Sequence, residues 1–224
     1  MKLYCHPIST TSRPVMLFVA EQRLPVQLQV VDLFRGEHMQ ADYAAINPNK
    51  LVPTLTDGDF VLTESAAILK YLADAFNLSA YPKAPRERAR VNERMDWVNT
   101  QLSRDLAYGL AYPQIFDSHR HANGDAQAAT LLRGQQNSRR WLQVMNDHLL
   151  GAGCNYLAGD TLTIADYHAA SFVKLAEVLR SDLSAFPNVQ HWLGRMKALP
   201  GWPQVYEVID GFAASFKGLP LAAV

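Results

Sequence analysis

The chain has 224 residues, and its 21 Lys and Arg residues balance 21 Asp and Glu residues, so the formal net charge is zero. Hydrophobic residues make up 49% of the chain and charged residues 19%, a balance that supports a folded core and excludes wholesale disorder. A nucleic-acid-binding protein would carry a basic surplus. The composition therefore predicts no nucleic-acid partner.

The low cysteine content and the lack of signal-peptide and membrane-span patterns predict an intracellular, cytoplasmic protein. Two cysteines, Cys5 and Cys154, are too few for a disulfide-stapled secreted domain. The first residues lack an apolar run of signal-peptide length, and no stretch approaches the roughly 18 apolar residues of a membrane span. His119 and His121 form a His-x-His pair, but without further spaced ligands no metal site is expected.

The start of the chain alternates strand and helix patterns. Residues 2–6 and 26–31 are β-type runs, and a helical pattern opens at Arg13-Pro14, with Ser12 expected as its N-cap. A strand, a helix and a strand within roughly 30 residues form a βαβ unit, whose strands pair in parallel.

A hairpin and a further helix follow. Asp57-Gly58 lies between the β-type runs 53–55 and 60–62, which is a hairpin pattern. A strong helical run begins at Ser65. The first part of the chain is therefore predicted to be a mixed sheet with helices packed on it.

The remainder is predicted to be all-helical. Residues 78–87 hold two prolines, lose the periodicity and are interpreted as a linker, so the expected units are 1–77 and 88–224. Helical patterns cover 86–117, 126–150, 163–180, 187–199 and 202–213, with Pro113 expected to kink or interrupt the first. Thr163 and Asp166 match an Asp version of the capping box.

Several motifs, in this order and spacing, closely resemble the cytosolic glutathione transferase family, especially its theta-like and bacterial branches. The matching pieces are His6-Pro7-Ile8-Ser9-Thr10-Thr11-Ser12-Arg13, Val31-Asp32-Leu33, Gly36-Glu37-His38, Ile46 to Leu55, Asp57-Gly58 and Thr63 to Ile68. The helical part matches more loosely. The resemblance implies an α/β thioredoxin-like N-terminal domain with a four-stranded mixed sheet, an all-α C-terminal domain and a homodimer.

Such an enzyme must hold the sulfur of bound glutathione as a thiolate. A free thiol has a pKa of about 8.5, and one hydrogen bond to a charged group is worth roughly 1.5–3 kcal/mol, or about one to two pKa units. A hydroxyl aimed at the sulfur therefore suffices. The resemblance assigns this catalytic role to Ser9; Thr10 is the rival, because some bacterial relatives carry a catalytic cysteine at that register.

The remaining glutathione contacts, with Thr10 among them, are also implied by the resemblance. The pair Glu64-Ser65 opens a helix and would bind the γ-glutamyl end of glutathione, with Glu64 facing its ammonium group. His38 and Lys50 would supply donors to the glycyl carboxylate, beside Leu51. Val52 would offer its backbone N–H and C=O to the cysteinyl part, next to a cis peptide at Pro53.

Tyr108, Tyr112 and Phe116 recur every four residues near the end of one helical pattern. This spacing fits core packing or a subunit contact, and the resemblance implies instead that this helix lines the pocket for a hydrophobic co-substrate. Both interpretations stay open.

The expected function is glutathione transfer to a small apolar electrophile, with glutathione as co-substrate, as in detoxification. Glutathione-dependent hydroperoxide reduction and dehalogenation use the same fold and remain alternatives. A non-catalytic binding or assembly module is the alternative from another class. Cys5-His6-Pro7-Ile8 lacks a second thiol, which excludes thioredoxin-type dithiol exchange.

Overall fold

The computed structural model describes residues 1–151 and 153–224, and in these residues four strands form one mixed sheet. The strands lie in the order β2-β1-β3-β4, and they are β1 (Lys2–Cys5), β2 (Gln27–Val30), β3 (Thr54–Asp57) and β4 (Phe60–Thr63). β1 and β2 pair in parallel, while β3 pairs antiparallel with both β1 and β4. The predicted mixed sheet and βαβ unit are confirmed.

The helices of the N-terminal domain are α1 (Ser12–Glu21), α2 (Ala41–Ile46) and α3 (Ser65–Ala75). The predicted hairpin is present, since Asp57 pairs with Phe60 and Gly58 takes a positive φ of 61° that suits glycine. Ser12 is the first residue of α1 rather than its N-cap, so that expectation was wrong. The amide of Ser12 instead donates to Ser9 Oγ at 3.2 Å.

The rest of the chain is mostly helical, as predicted. Its α-helices are α4 (Pro85–Trp97), α5 (Tyr112–Ile115), α6 (Gly124–Val144), α7 (Ile164–Val178), α8 (Pro187–Lys197) and α9 (Trp202–Ser215). Helical segments with wider, π-type hydrogen bonds, Val98–Ala111 and Met145–Leu149, continue α4 and α6. Among the described residues, no helix is long and apolar enough to cross a bilayer.

The helix that begins at Pro85 passes through Pro113 and ends at Ile115, so the interruption expected at Pro113 does not occur there. The hydrogen bonds are of the wider π type up to Ala111 and return to the α type at Tyr112. The side chain of Gln114 donates to the Leu110 carbonyl at 2.9 Å. Pro113 has no N–H, so it adds no backbone hydrogen bond to this turn.

α7 is the central helix of the molecule, and α1 and α3 of the N-terminal domain pack on it. The rings of Phe18 and Tyr167 meet edge to face at 5.1 Å across this contact. The predicted capping box begins α7, with the buried Asp166 accepting from Thr163 N at 2.9 Å. Asp166 also accepts from Trp192 Nε1 at 2.9 Å, which joins α7 to α8.

Candidate active site

The segment between β1 and α1 carries Ser9, and hydrogen bonds from the buried Arg13 side chain hold it in place. The fully buried Arg13 guanidinium donates to the carbonyl oxygens of Pro7 at 3.2 Å and Ile8 at 2.7 Å. Its charge lies 5.4 Å from the centre of the Tyr206 ring, and burial lowers the pKa of Arg13 below its ordinary value. Because these bonds hold the backbone directly before Ser9, the position of Ser9 is fixed by the core.

Ser9 and Thr11 form a chain of hydroxyl groups that ends on the Val52 carbonyl. Ser9 Oγ lies 3.1 Å from Thr11 Oγ1, and Thr11 Oγ1 donates to Val52 O at 3.0 Å. Both side chains are half-buried. This chain joins the start of α1 to the loop before β3, and we call it the hydroxyl relay.

The relay lies beside a cavity of about 210 Å³ between the sheet and the helical domain. Its lining consists of Thr11, Asn47, Asn49, Leu51, Val52, Pro53, Thr63, Glu64, Ser65 and Tyr108. The peptide bond between Val52 and Pro53 is cis, as the sequence resemblance implied. Five residues that the sequence resemblance implied as glutathione contacts therefore lie around one cavity: Leu51, Val52, Pro53, Glu64 and Ser65.

The wall formed by the start of α3 combines an exposed carboxylate with helix amides. Glu64 has a φ of 65° and a ψ of 114°, a conformation that is rare for a residue with a side chain. The Glu64 side chain is exposed, and Ser65 is buried at the first position of α3. The first amides of a helix lack intrahelical acceptors, so this end of the cavity suits a carboxylate.

Two predicted glutathione contacts are not part of the cavity lining. Lys50, with a φ of 56°, lies between the lining residues Asn49 and Leu51. His38 is half-buried in the short 3₁₀ turn Glu37–Met39, in the loop from β2 to α2. Lys50 therefore adjoins the lining along the chain, whereas His38 does not.

Asn47 lines the cavity and was missed by the sequence analysis. Its Nδ2 donates to Leu51 O at 2.8 Å and to Thr54 Oγ1 at 2.9 Å, and its Oδ1 accepts from Asn49 N at 3.0 Å. Asn47 thus shapes the loop that leads to the cis peptide. The run Asn47-Pro48-Asn49 is a turn pattern, which was the available signal for this role.

Thr10 faces the core and not the cavity. It is 5% exposed, and its Oγ1 lies 3.5 Å from Arg13 Nη2. The Tyr112 hydroxyl faces Thr10, and burial raises the pKa of Tyr112 to about 12. Thr10 and Tyr112 therefore link the loop of Ser9 to the helical domain.

An aromatic cluster connects the two domains next to the cavity. Tyr108 is 55% exposed, Tyr112 is buried and Phe116 is half-buried, so the three rings predicted to share one face differ in accessibility. They contact one another edge to face at 5.0 and 5.5 Å. The cluster continues through His119, Phe212 and Phe34, and it includes His6 beside Phe34 and Phe216 beside Phe212.

The sequence analysis missed Phe34 and Phe212, which extend this cluster. Phe212 of α9 stacks on Phe116 at 6.1 Å and lies 6.2 Å from Phe34, which is 66% exposed. These three rings come from three distant parts of the chain. They bring apolar ring surface together between the loop after β2, the end of the first long helix and α9.

Cys5 does not take part in the site. It is fully buried in β1, and burial raises the pKa of its thiol to about 12, which removes it as a nucleophile. Across residues 1–151 and 153–224, no three His, Cys, Asp or Glu side chains come together in a way that would hold a metal ion.

Comparisons with known proteins agree with this geometry. A family model described as the N-terminal domain of glutathione S-transferase matches residues 8–75, and one described as the C-terminal domain matches residues 106–200. Human glutathione S-transferase theta-1 is 32% identical over 219 residues, which cover 93% of this chain and 88% of the human protein.

Two solved structures show the same fold over most of the chain. A possible glutathione S-transferase from Rhodopseudomonas palustris has a TM-score of 0.76 and 33% identity, covering 89% of this chain and 87% of its own. The apo form of human glutathione S-transferase T1-1 has a TM-score of 0.79 and 28% identity, covering 96% of each chain. The chain therefore belongs to the cytosolic glutathione S-transferase family, on its theta-like side, and is a glutathione transferase.

Proposed function

We propose that the enzyme joins glutathione to small, mostly apolar electrophiles and that the Ser9 hydroxyl stabilises the glutathione thiolate. The observation that carries this proposal is the position of Ser9 just before α1, where its hydroxyl accepts the Ser12 amide and begins the relay that ends on Val52 in the cavity wall. The positive end of α1 adds to the attraction for an anion. The serine therefore needs no strong base beside it.

The reaction that follows from this arrangement is a nucleophilic displacement or addition. A hydrogen bond from Ser9 lowers the pKa of the bound thiol, so the thiol releases its proton to solvent at neutral pH. The thiolate sulfur then donates an electron pair to the electrophilic carbon and forms the sulfur–carbon bond. In a displacement the leaving group departs with the electron pair of the bond that breaks.

Glutathione binding is assigned to the residues around the cavity. The exposed Glu64 carboxylate is suited to the ammonium of the γ-glutamyl group, and the Ser65 end of α3 is suited to its carboxylate. The main chain of Val52, beside Pro53, would pair with the cysteinyl part. Lys50 and His38 would bind the glycyl carboxylate from the rim, next to Leu51, and Thr10 would support the loop.

The aromatic cluster is assigned to the second substrate. Tyr108, Phe116 and Phe212 present accessible ring surface, and apolar surface of this kind favours an apolar ligand. Tyr112 is buried beneath them and supports the wall. Tyr108 lines the glutathione cavity as well, so the two substrates would meet beside it.

Domain limits, assembly and location are part of the same proposal. Residues 1–77 would form the glutathione-binding domain, 78–87 the linker and 88–224 the helical domain of a cytoplasmic homodimer. Exposed apolar side chains on β4, Phe60 at 45% and Val61 at 44%, offer surface for a second copy. Size-exclusion chromatography with light scattering tests the dimer.

The test of function combines glutathione-affinity retention with turnover of a panel of aryl halides, activated alkenes, alkyl halides and hydroperoxides. The proposal predicts retention and conjugation, with Ser9→Ala lowering kcat/KM roughly 10- to 100-fold, the loss of one charged hydrogen bond. Turnover confined to hydroperoxides or to release of halide would favour the peroxidase or dehalogenase alternative. Retention without turnover of any compound would favour the non-catalytic module.

A further inference from the structure

The hydrogens of the relay have one consistent assignment. Thr11 has a single hydroxyl hydrogen, and it donates this hydrogen to Val52 O, which can only accept. In the contact of 3.1 Å between Ser9 and Thr11, Ser9 must then be the donor. Without a ligand, the hydrogen that the proposed function requires at the sulfur is therefore engaged by Thr11.

The Ser9 oxygen also has an accepting role. It accepts the Ser12 amide at 3.2 Å, which leaves a second lone pair available for another donor. If Ser9 turns its hydrogen to a thiolate, the Thr11 hydroxyl is already at hydrogen-bonding distance from that free lone pair. Reversal of this one contact requires rotation of two hydroxyl groups and no movement of the backbone.

The other end of the relay meets the ligand. Val52 and Thr11 both line the cavity, so a peptide amide bound there can donate to Val52 O. The carbonyl oxygen has two lone pairs, but a second donor weakens its attraction for the Thr11 hydrogen, which can then turn to Ser9. The protein gives up its own bond to Val52 O and gains two bonds to the ligand, one at Val52 O and one from Ser9 to the sulfur.

We propose that Thr11 is a positioning residue that couples docking of the glutathione backbone at Val52 to stabilisation of the thiolate by Ser9; this inference rests on the proposed function of Ser9. With glutathione bound, Thr11 donates to Ser9, Ser9 donates to the sulfur, and the ligand amide occupies Val52 O. A hydroxyl that receives two hydrogen bonds is a stronger donor, because hydrogen bonds in a chain polarise one another by roughly 10–30% per bond.

The test measures the pKa of the thiol of glutathione bound at saturation, from the ultraviolet absorbance of the thiolate against pH. Thr11→Val keeps the shape of the side chain but removes its hydroxyl. We expect the pKa of the bound thiol to rise by about half a pH unit, with about a threefold loss of kcat/KM below that pKa. Thr11→Ser, which keeps the hydroxyl, is the matched control and should titrate like the wild type.

Two outcomes would overturn this role of Thr11. A bound-thiol pKa in Thr11→Val that equals or falls below the wild-type value would mean that Thr11 only ties two loops together or competes for the Ser9 hydrogen. A further rise of the pKa when Thr11→Val is added to Ser9→Ala would mean that Thr11 donates to the sulfur directly. Our account predicts that the double variant titrates like Ser9→Ala.

The same set of variants separates this inference from the proposed function. If Ser9→Ala leaves the pKa of the bound thiol unchanged, the proposed function of Ser9 fails, and the inference about Thr11 fails with it. If Ser9→Ala raises the pKa while Thr11→Val does not, the inference about Thr11 fails alone. Urea unfolding midpoints of all variants show whether each one is folded.

Discussion

Arg13 Nη1 donates to the carbonyl oxygen of Ile8 at 2.7 Å, one residue before Ser9, from a side chain that is completely buried. The charge is used to hold a loop and not to bind a ligand. No acidic side chain among the described residues forms an ion pair with Arg13. Backbone carbonyls and the Tyr206 ring therefore offset most of the cost of burying its charge.

Replacement of this arginine should therefore affect both stability and turnover. Arg13→Met leaves the carbonyls of Pro7 and Ile8 without their donor, and a buried group without its partner costs about 1–3 kcal/mol. We expect the free energy of unfolding to fall by about 2–4 kcal/mol in urea denaturation, with loss of activity. The exposed Arg133→Met on α6 is the control, and equal losses in both variants would contradict this role.

The approach of α6 to the helical segment Val98–Ala111 depends on Gly134. A methyl group at Gly134 would collide with the backbone of Gly109, which cannot move away as a side-chain tip can. Gly134→Ala should therefore destabilise the protein by about 1–3 kcal/mol, the usual cost of overpacking. It should also disturb Tyr108, the neighbour of Gly109.

A glycine in another helix provides the matched control for this substitution. Gly194 lies inside α8, and no described residue comes within 4 Å of a methyl group added there. Gly194→Ala should raise the free energy of unfolding by about 0.5–1 kcal/mol, because alanine is the better helix former. Similar thermal midpoints for the two alanine variants would show that the helix contact is not tight.

Stability should fall as the pH drops, because of His168. Burial, with a smaller effect of Lys70, lowers the pKa of His168 from 6.5 to about 3, so the folded protein keeps the ring neutral while the unfolded chain binds a proton. The stability that this group contributes is complete above pH 6.5 and is lost towards pH 3. The expected loss is about 1.4 kcal/mol per pH unit below 6.5.

His168→Gln tests this pH dependence. Glutamine can still donate to Asn99 Oδ1, which lies 2.7 Å from His168 Nε2, but it does not titrate. Urea unfolding of both proteins at pH 7 and pH 5 should show a smaller loss in the variant. Parallel losses would mean that other groups cause the pH dependence.

Phe212 should matter for the second substrate and not for glutathione. Its ring stacks on Phe116 and faces Phe34, and none of these three residues lines the glutathione cavity. Phe212→Ala should raise the KM for an apolar electrophile about tenfold, the equivalent of roughly 1.4 kcal/mol of aromatic contact. Phe212→Leu should have a smaller effect, and an equal rise in the KM for glutathione would contradict the assignment.

Structural features that depend on residues close together in the chain could be predicted from the sequence. The βαβ pattern, the Asp57-Gly58 turn and the Thr163–Asp166 capping box each depend on neighbouring residues, and the structure contains all three. Ser12 was misassigned as the N-cap because four hydroxyl residues follow one another from Ser9. Which of them reaches the helix amides depends on how Arg13 folds the loop, and that is a tertiary contact.

The aromatic cluster shows the limit of such prediction for the site. The spacing of Tyr108, Tyr112 and Phe116 placed them on one helix, but their accessibility depends on rings that approach from elsewhere. Phe34 and Phe212 lie far apart in the chain and meet only because α9 folds back over the loop after β2. Contacts of this kind have no local pattern in a single sequence.

The central claim is that the Ser9 hydroxyl holds the glutathione sulfur as a thiolate. A crystal structure of the wild-type enzyme with glutathione, solved at neutral pH, measures the relevant distance from Ser9 Oγ to the sulfur. The account predicts that Ser9 Oγ lies at hydrogen-bonding distance from the sulfur, with Thr11 Oγ1 in contact with Ser9. A sulfur that is bound by a different donor, with Ser9 Oγ beyond hydrogen-bonding distance from it, would contradict the account.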